Sequence, residues 1–195
     1  MCEEIHCKVA VIGKEHVGKT SIIKRWIENE FDENNVSTIG TTKMSKTIEI
    51  GDKRIEIILM DTAGQEVYMS MADFYIRDVN LVMLCLDPSE NNAKEGLIKW
   101  KEIADKYHPP EKMFLVSTKY DVWHDKPPLL IKEIKMLLKE IGVKEHFITS
   151  ALTGYGIDEL FQCVGNMFLN SSGDEMNHQA GIDINSTQSQ EKKCC

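Results

Sequence analysis

A glycine-containing segment near the N-terminus has the residue types and spacing needed to bind phosphate. Residues 13–20 read G-K-E-H-V-G-K-T, which fits the pattern G-x-x-x-x-G-K-T. An apolar run, Ile5–Ile12, precedes the segment, and a helix-like run, Ser21–Ile27, follows it. In a strand–loop–helix context, backbone N–H groups and the helix N-terminus together bind an anion. The segment therefore predicts a site for a nucleoside triphosphate, without indicating which one.

Individual side chains of this phosphate loop have separate expected contacts. The ammonium group of Lys19 can reach the outer phosphates, and the hydroxyl of Thr20 is a suitable ligand for Mg²⁺. The other predicted nucleotide contacts in the segment and just after it are Gly13, His16, Val17, Gly18 and Ser21. The expected ligand is thus a nucleotide with its phosphates along the loop and a magnesium ion beside Thr20.

A second polar segment, D-T-A-G-Q-E at residues 61–66, follows the apolar run Arg54–Met60. The carboxylate of Asp61, at the end of a strand, suits a water-mediated contact to Mg²⁺. The backbone N–H of Gly64 can approach a γ-phosphate because no side chain intervenes. The Gln65 amide has both a donor and an acceptor, so it can orient an attacking water. Together with the phosphate loop, this segment predicts triphosphate hydrolysis.

Length and composition limit the remaining function classes. The 195 residues suffice for one ordinary domain, and the formal net charge of −8 argues against a nucleic-acid partner, which calls for a basic face. The six cysteines form neither a C-x-x-C pair nor a zinc spacing with histidine. Because the longest apolar run, Leu81–Leu86, is too short to span a bilayer, we expect a soluble intracellular protein.

Strand-like and helix-like segments alternate along the chain. The predicted strands are Ile5–Ile12, Lys43–Ile50, Arg54–Met60, Val79–Leu86, Met113–Ser117 and Phe147–Thr149. One predicted helix directly follows the phosphate loop. Three further predicted helices cover about 92–107, 130–141 and 157–168. This alternation predicts an α/β fold with a mostly parallel six-stranded sheet, one antiparallel strand and helices on both faces. The loops at Gly13, Asp61, Asp87, Lys119 and Ser150 should share one edge of that sheet.

With these motifs on one edge, the sequence resembles the Ras-like small GTPases over roughly residues 5–168, chiefly through the phosphate loop and D-T-A-G-Q-E. The resemblance implies the three-layer fold of that family for residues 1–169. It also implies GTP or GDP and Mg²⁺ as ligands. Hydrolysis would be slow without an activating protein, with Gln65 positioning the water.

Two polar segments correspond to the parts of such proteins that respond to the nucleotide. Thr38 lies in a T-I-G string, so the resemblance implies that it binds the γ-phosphate and Mg²⁺. Phe31, earlier in the same loop, would pack on the guanine. Residues 30–42 and 61–75 would be the switch segments, which effectors, exchange factors and activating proteins contact.

The family reads guanine with N-K-x-D, and this chain has T-K-Y-D at residues 118–121. Asp121 can accept hydrogen bonds from the ring N–H and the exocyclic amine of guanine, and Lys119 retains the packing role. Thr118 replaces the asparagine, and a hydroxyl can make only one of the two hydrogen bonds of an amide. We therefore expect weaker nucleotide binding, with guanine still preferred.

The later family motif S-A-K appears here as Ser150-Ala151-Leu152. Ser150 and Ala151 are retained as predicted nucleotide contacts, and the backbone N–H of Ala151 would face the base. The lysine of the motif is absent, because Leu152 takes its place.

Glu15 is a second departure, since the family usually has a small residue at this position of the phosphate loop. A carboxylate pointing inward would repel the phosphate or crowd the attacking water. A carboxylate pointing outward would be solvated and have no effect. The sequence leaves both orientations open. The alternative to a hydrolysing switch is therefore a nucleotide-dependent binding module that scarcely hydrolyses GTP.

The C-terminus ends in Lys192-Lys193-Cys194-Cys195, after a polar stretch predicted to be a disordered tail from residue 170 onward. A Cys-Cys ending resembles the Rab subfamily, in which both cysteines are geranylgeranylated, and two lipid chains give stable anchoring. This resemblance implies vesicle traffic, a monomer, and a location on the cytoplasmic face of intracellular membranes with a soluble cytosolic pool. Met60, where Rab proteins have tryptophan, indicates an altered effector surface.

Overall fold

A computed structural model of the chain describes residues 5–33, 41–62, 69–125 and 129–178. The strands are β1 (Ile5–Ile12), β2 (Thr41–Ile50), β3 (Lys53–Thr62), β4 (Leu81–Leu86), β5 (Met113–Ser117) and β6 (Glu145–Ile148). The helices are α1 (Lys19–Glu28), α2 (Met69–Ile76), α3 (Ala93–Ala104), α4 (Tyr120–Trp123), α5 (Leu129–Ile141) and α6 (Ile157–His178), with a short 3₁₀ turn at Pro110–Lys112.

The six strands form one sheet in the order β2-β3-β1-β4-β5-β6. Strand β2 pairs with β3 in the antiparallel direction, and every other pair is parallel. The predicted mixed sheet is therefore confirmed. Because β1, β3, β4, β5 and β6 run in the same direction, their carboxyl ends meet at one edge, where open α/β sheets bind ligands.

The core has two parts, one on each face of the sheet. On one face, Ile23 and Trp26 of α1 and Phe161 of α6 pack on apolar side chains of the sheet, and the Trp26 and Phe161 rings stack with centroids 3.9 Å apart. On the other face, Trp100 of α3 and Leu137 of α5 cover the central strands. The helices thus lie on both faces, as the alternation of elements predicts.

Several element boundaries differ from the sequence prediction. Strand β3 continues through Thr62, so Asp61 lies within the strand rather than in the polar segment after the predicted strand Arg54–Met60. Strand β2 begins at Thr41, two residues before the predicted start. Helix α6 continues to His178, whereas the sequence predicted a disordered tail from residue 170. Extending an existing helix costs less than starting one, which favours this continuation.

Two helices were not predicted at all. Helix α2 overlaps the end of the predicted switch segment 61–75, to which the sequence analysis assigned no helix. Helix α4 has only four residues, which is too short for an apolar period to be recognised. Within the described part of the chain, no helix is both long and apolar enough to cross a membrane.

Candidate nucleotide-binding site

The phosphate loop has the backbone conformation that its glycines permit. Gly13 has φ 148°, His16 has φ 61° and Gly18 has φ 97°. A Cβ atom at Gly13 would lie 2.5 Å from the carbonyl oxygen of Cys85, so no larger residue fits there without a backbone shift. Val17 is buried against the core. Left-handed residues among right-handed ones turn successive N–H groups toward one concave side, which suits an anion.

Lys19 begins helix α1, and its side chain folds back over the loop. Its Nζ donates hydrogen bonds to the carbonyl oxygens of Gly13, at 3.0 Å, and Lys14, at 2.8 Å. Burial lowers the pKa of Lys19, while the nearby carboxylates of Asp61 and Glu15 act in the opposite direction. The ammonium group is thus fixed at the mouth of the loop, on the side of two negative charges.

The predicted magnesium ligands that the structure describes lie together. The Thr20 hydroxyl donates a hydrogen bond of 2.7 Å to Oδ2 of Asp61. Asp61 is beside Val11 in the β1–β3 register, and the Thr62 hydroxyl donates to the Val11 carbonyl at 2.8 Å. These contacts anchor the end of β3 to the strand that leads into the phosphate loop. A hydroxyl and a carboxylate so close together are hard oxygen donors, the set that Mg²⁺ prefers.

The two residues after Gly13 face different parts of the structure. Nζ of Lys14 donates a hydrogen bond of 3.1 Å to Oε2 of Glu90, in the turn after β4. Glu15 is half-buried, and its negative charge contributes to the electrostatic environment of Lys19. The carboxylate therefore lies within electrostatic reach of the Lys19 ammonium group.

Thr118, the unusual residue of the base-reading motif, is connected directly to the phosphate loop. It is 1% exposed, and its hydroxyl lies 2.6 Å from the Val17 carbonyl oxygen and 3.1 Å from that of Leu86. The Thr118 carbonyl in turn accepts a 2.6 Å hydrogen bond from the Trp123 indole N–H. The hydroxyl thus joins the two halves of the predicted site.

Lys119 and Gly18 meet between those two halves. A Cβ atom at Gly18 would lie 4.0 Å from Cε of Lys119, so the lysine stem passes over the phosphate loop. Nζ of Lys119 forms an ion pair of 2.9 Å with Oδ2 of Asp87, whose side chain is 2% exposed. The other oxygen of Asp87 accepts hydrogen bonds from the backbone N–H and the hydroxyl of Ser89. This buried carboxylate holds the lysine stem over the phosphate loop.

The two predicted base-reading loops are bonded to each other. The Ser150 hydroxyl donates a hydrogen bond to Oδ1 of Asp121, and the Tyr120 N–H donates to the Thr149 carbonyl at 3.0 Å. The Tyr120 and Tyr155 rings are in contact, with centroids 4.9 Å apart. Asp121 is therefore held by one oxygen, and its carboxylate retains further acceptor capacity for a ligand.

Other predicted site residues are placed as follows. Phe31 is half-buried and packs against the core on the α1 side, Ser21 is half-buried, His16 is exposed, and Ala151 is 8% exposed. Five predicted residues lie outside the described ranges, namely Thr38, Gly64, Gln65, Cys194 and Cys195.

Two site residues were missed by sequence reasoning. Asp87 was noted only as a loop position on the edge of the sheet, although an acid directly after a buried strand was a usable signal. Arg25 of α1 was not singled out, yet its Nε donates a 2.6 Å hydrogen bond to the Ala151 carbonyl. Nothing in the local pattern of α1 indicates a contact to a loop so distant in sequence.

Comparison with known proteins agrees with this geometry. A sequence model of the Ras family matches residues 8–170. Ras-related protein Rab-21 of Mus musculus is 32% identical over 155 residues, covering 79% of this chain and 69% of the relative. Ras-related protein Rab-31 of Mus musculus is 32% identical over 194 residues, covering 96% of each chain.

Proposed function

This chain belongs to the Ras family as a Rab-like small GTPase, and we propose that it cycles between GTP-bound and GDP-bound states. The observation that carries the proposal is the hydrogen bond between Thr118 and the Val17 carbonyl. It brings a motif suited to guanine and a loop suited to phosphates into one continuous site. A nucleotide spanning both would be a guanosine phosphate.

At the phosphate end, Lys19 and the backbone N–H groups of the loop bind the β- and γ-phosphates. Thr20, Thr38 and, through water, Asp61 would hold Mg²⁺. The ion would neutralise charge on the phosphate oxygens. The proximity of Thr20 and Asp61, 2.7 Å apart, supports this donor set.

At the base end, Asp121 accepts hydrogen bonds from the ring N–H and the amine of guanine. Lys119 and Phe31 pack on the two sides of the base, and the Ala151 N–H donates to its carbonyl oxygen. Adenine offers neither that carbonyl nor the same donors, so a site with these groups prefers guanine. The buried ion pair of Lys119 with Asp87 supports the packing role.

Hydrolysis is assigned to Gln65, which orients the attacking water, and the intrinsic rate is slow until an activating protein binds. Residues 30–42 and 61–75 contact effectors, exchange factors and activating proteins in a nucleotide-dependent way. Cys194 and Cys195 carry lipid chains that anchor the monomer to the cytoplasmic face of intracellular membranes, with a cytosolic pool. The Rab relatives support a role in vesicle traffic.

One observation favours a second candidate function. Glu15 is half-buried and its charge acts on Lys19, so it lies near the place of the γ-phosphate. If its carboxylate crowds the attacking water, the protein is a nucleotide-dependent binding module with little GTP hydrolysis. Binding of guanine nucleotide is common to both functions.

The proposal is tested by releasing and identifying the nucleotide that copurifies with the full chain, then following GTP over time in the same preparation. We expect guanine nucleotide close to one equivalent per protein and slow conversion of GTP to GDP. Recovery of adenine nucleotide instead would overturn the proposal. Stable GTP over many hours would favour the binding module.

A further inference from the structure

The guanidinium of Arg25, on helix α1, bonds almost entirely to backbone carbonyls. Nε donates to the Ala151 oxygen at 2.6 Å, and Nη2 donates to the Leu152 oxygen at 3.0 Å. Nη1 donates to the Asn29 carbonyl at 2.9 Å and to the Asn29 side-chain oxygen at 3.2 Å. One side chain therefore joins two successive carbonyls of the base-reading loop to the end of α1.

We propose that Arg25 is a positioning residue for guanine recognition, which fixes Ala151 so that its N–H faces the carbonyl oxygen of the base. The inference rests on the proposed function, because it takes guanine as the occupant of the site. It adds a residue that contacts no part of the nucleotide and acts through the backbone of the loop.

The hydrogen bonds on either side of Ala151 show how this works. The Ser150 carbonyl accepts a 2.9 Å hydrogen bond from the Gly154 N–H, which fixes the plane of the peptide that ends in the Ala151 N–H. In a trans peptide the N–H points opposite to the C=O, so the Ala151 N–H points away from Gly154. Arg25 fixes the next peptide plane through the Ala151 carbonyl. With the peptide planes on both sides of its α-carbon fixed, Ala151 cannot rotate, and its N–H keeps one direction.

The chemistry of the loop explains why an arginine from a neighbouring helix is needed. Leu152 is 45% exposed and offers no polar side-chain group to hold its own loop. A guanidinium has several donors in a rigid fork, so it can bond two successive carbonyls and a third acceptor together. A lysine ammonium in its place would reach fewer of these oxygens at good geometry.

The contact of Arg25 with Asn29 connects the loop to the segment that carries Phe31. Asn29 ends α1 with φ 57°, and Phe31, which packs against the core, follows two residues later. Arg25 thereby links the loop that offers the Ala151 N–H to the segment that leads to the aromatic ring proposed to cover the base. The same α1 begins with the phosphate-binding Lys19.

The test compares Arg25→Lys and Arg25→Met with the wild-type full chain, using three diphosphates as probes. GDP is the reference. In 6-thio-GDP, sulfur replaces the base oxygen and accepts hydrogen bonds more weakly. IDP lacks the amine that Asp121 reads. We expect both variants to bind GDP about tenfold more weakly, because the Ala151 N–H loses its alignment. The GDP to 6-thio-GDP affinity ratio should shrink, while the GDP to IDP ratio stays constant.

Arg54→Met is the matched control, since Arg54 is exposed and lies near the start of β3, far along the strand from Asp61. It should leave all three affinities unchanged. A lower melting temperature or a uniform loss of affinity in the Arg25 variants, with both ratios unchanged, would show a merely structural role and overturn the inference. Failure of the wild type to prefer GDP over the two analogues would overturn the proposed function itself.

Discussion

The phosphate end and the base end of the site reach their geometry in different ways. At the phosphate end, Lys19, Thr20 and Asp61 match the family pattern and contact one another or the loop directly. At the base end, Thr118 and Leu152 depart from the pattern, yet the Thr118 hydroxyl and the Leu152 carbonyl are both fixed by hydrogen bonds. The first end depends on residue identity. The second depends on neighbouring side chains, Trp123 and Arg25, whose hydrogen bonds hold the altered motifs in place.

This difference shows that a replaced motif residue need not mean a lost contact. The sequence indicated that the Thr118 hydroxyl could make only one of the amide's bonds. In the structure, that hydroxyl donates a hydrogen bond to the Val17 carbonyl, and the Trp123 indole N–H donates to the Thr118 carbonyl. The contact that joins the base motif to the phosphate loop is therefore present, formed by a smaller side chain with support from α4.

The largest expected effect comes from breaking the phosphate end. In Lys19→Met, the phosphate loop loses the ammonium group that folds back over it, and we expect GDP affinity to fall at least about 100-fold, since hydrogen bonds to charged groups are strong. Titration with a fluorescent GDP analogue measures this. Lys53→Met, at an exposed position beside the β2–β3 turn, is the control and should bind as the wild type does. Equal affinity of both variants would remove Lys19 from the site.

A smaller effect is expected from the residue that joins the two ends. Thr118→Val keeps the shape but removes the hydroxyl, so the buried Val17 carbonyl loses a donor and GDP should bind about tenfold more weakly. Thr118→Asn should bind GDP about threefold more tightly than the wild type, because an amide offers a second hydrogen bond. Dissociation rates of bound GDP report both changes. Faster release from Thr118→Asn would show that threonine is already the better residue here.

The support from α4 should matter less. Trp123→Phe removes the indole N–H and leaves the Thr118 carbonyl without that donor, which should lower the free energy of unfolding by about 1–3 kcal/mol. We expect GDP affinity to fall about threefold, as the base motif loosens. Trp100→Phe, the same substitution at a buried position of α3 in the core, should lower stability without a selective loss of GDP affinity. Identical affinity losses in both variants would mean that Trp123 acts through general stability.

The smallest change is expected at Glu15. If the protein hydrolyses GTP as proposed, Glu15→Gly should change the single-turnover rate by no more than about threefold, which corresponds to less than 1 kcal/mol in the barrier. Quantifying GDP formed by the nucleotide-loaded protein gives that rate. Glu90→Gln, which removes the carboxylate charge that pairs with Lys14, serves as a control for loss of a nearby carboxylate. A gain of an order of magnitude or more in Glu15→Gly alone would favour the binding module.

Much of the fold follows from local patterns. The β1 strand, the phosphate loop and α1 are contiguous, so their apolar and glycine spacing predicts them together. The predicted mixed sheet is confirmed. Helix α2 was missed because its apolar residues do not form a single stripe: Ile76 is fully buried, whereas Phe74 is 87% exposed. A helix without one apolar face gives no clear period.

The contacts that complete the site were less predictable than the elements that carry it. The carboxyl ends of parallel strands had to share one edge, so Asp61 and Asp121 could be placed there from sequence. The partners of Lys119 and Ala151 could not, because Asp87 and Arg25 are distant in sequence and only folding brings them near. Contacts between side chains and groups so distant in sequence have no fixed spacing, so no motif reports them.

The affinity ratio of GDP to ADP in the wild-type chain tests most directly whether the base end still selects guanine. A site that hydrogen-bonds the base edge rejects an analogue lacking those groups by several orders of magnitude, so we expect a ratio above about 1000. Competition binding against one fluorescent nucleotide gives both affinities under the same conditions. Comparable affinities for GDP and ADP would contradict the account, because Asp121 and Ala151 would then not read the base.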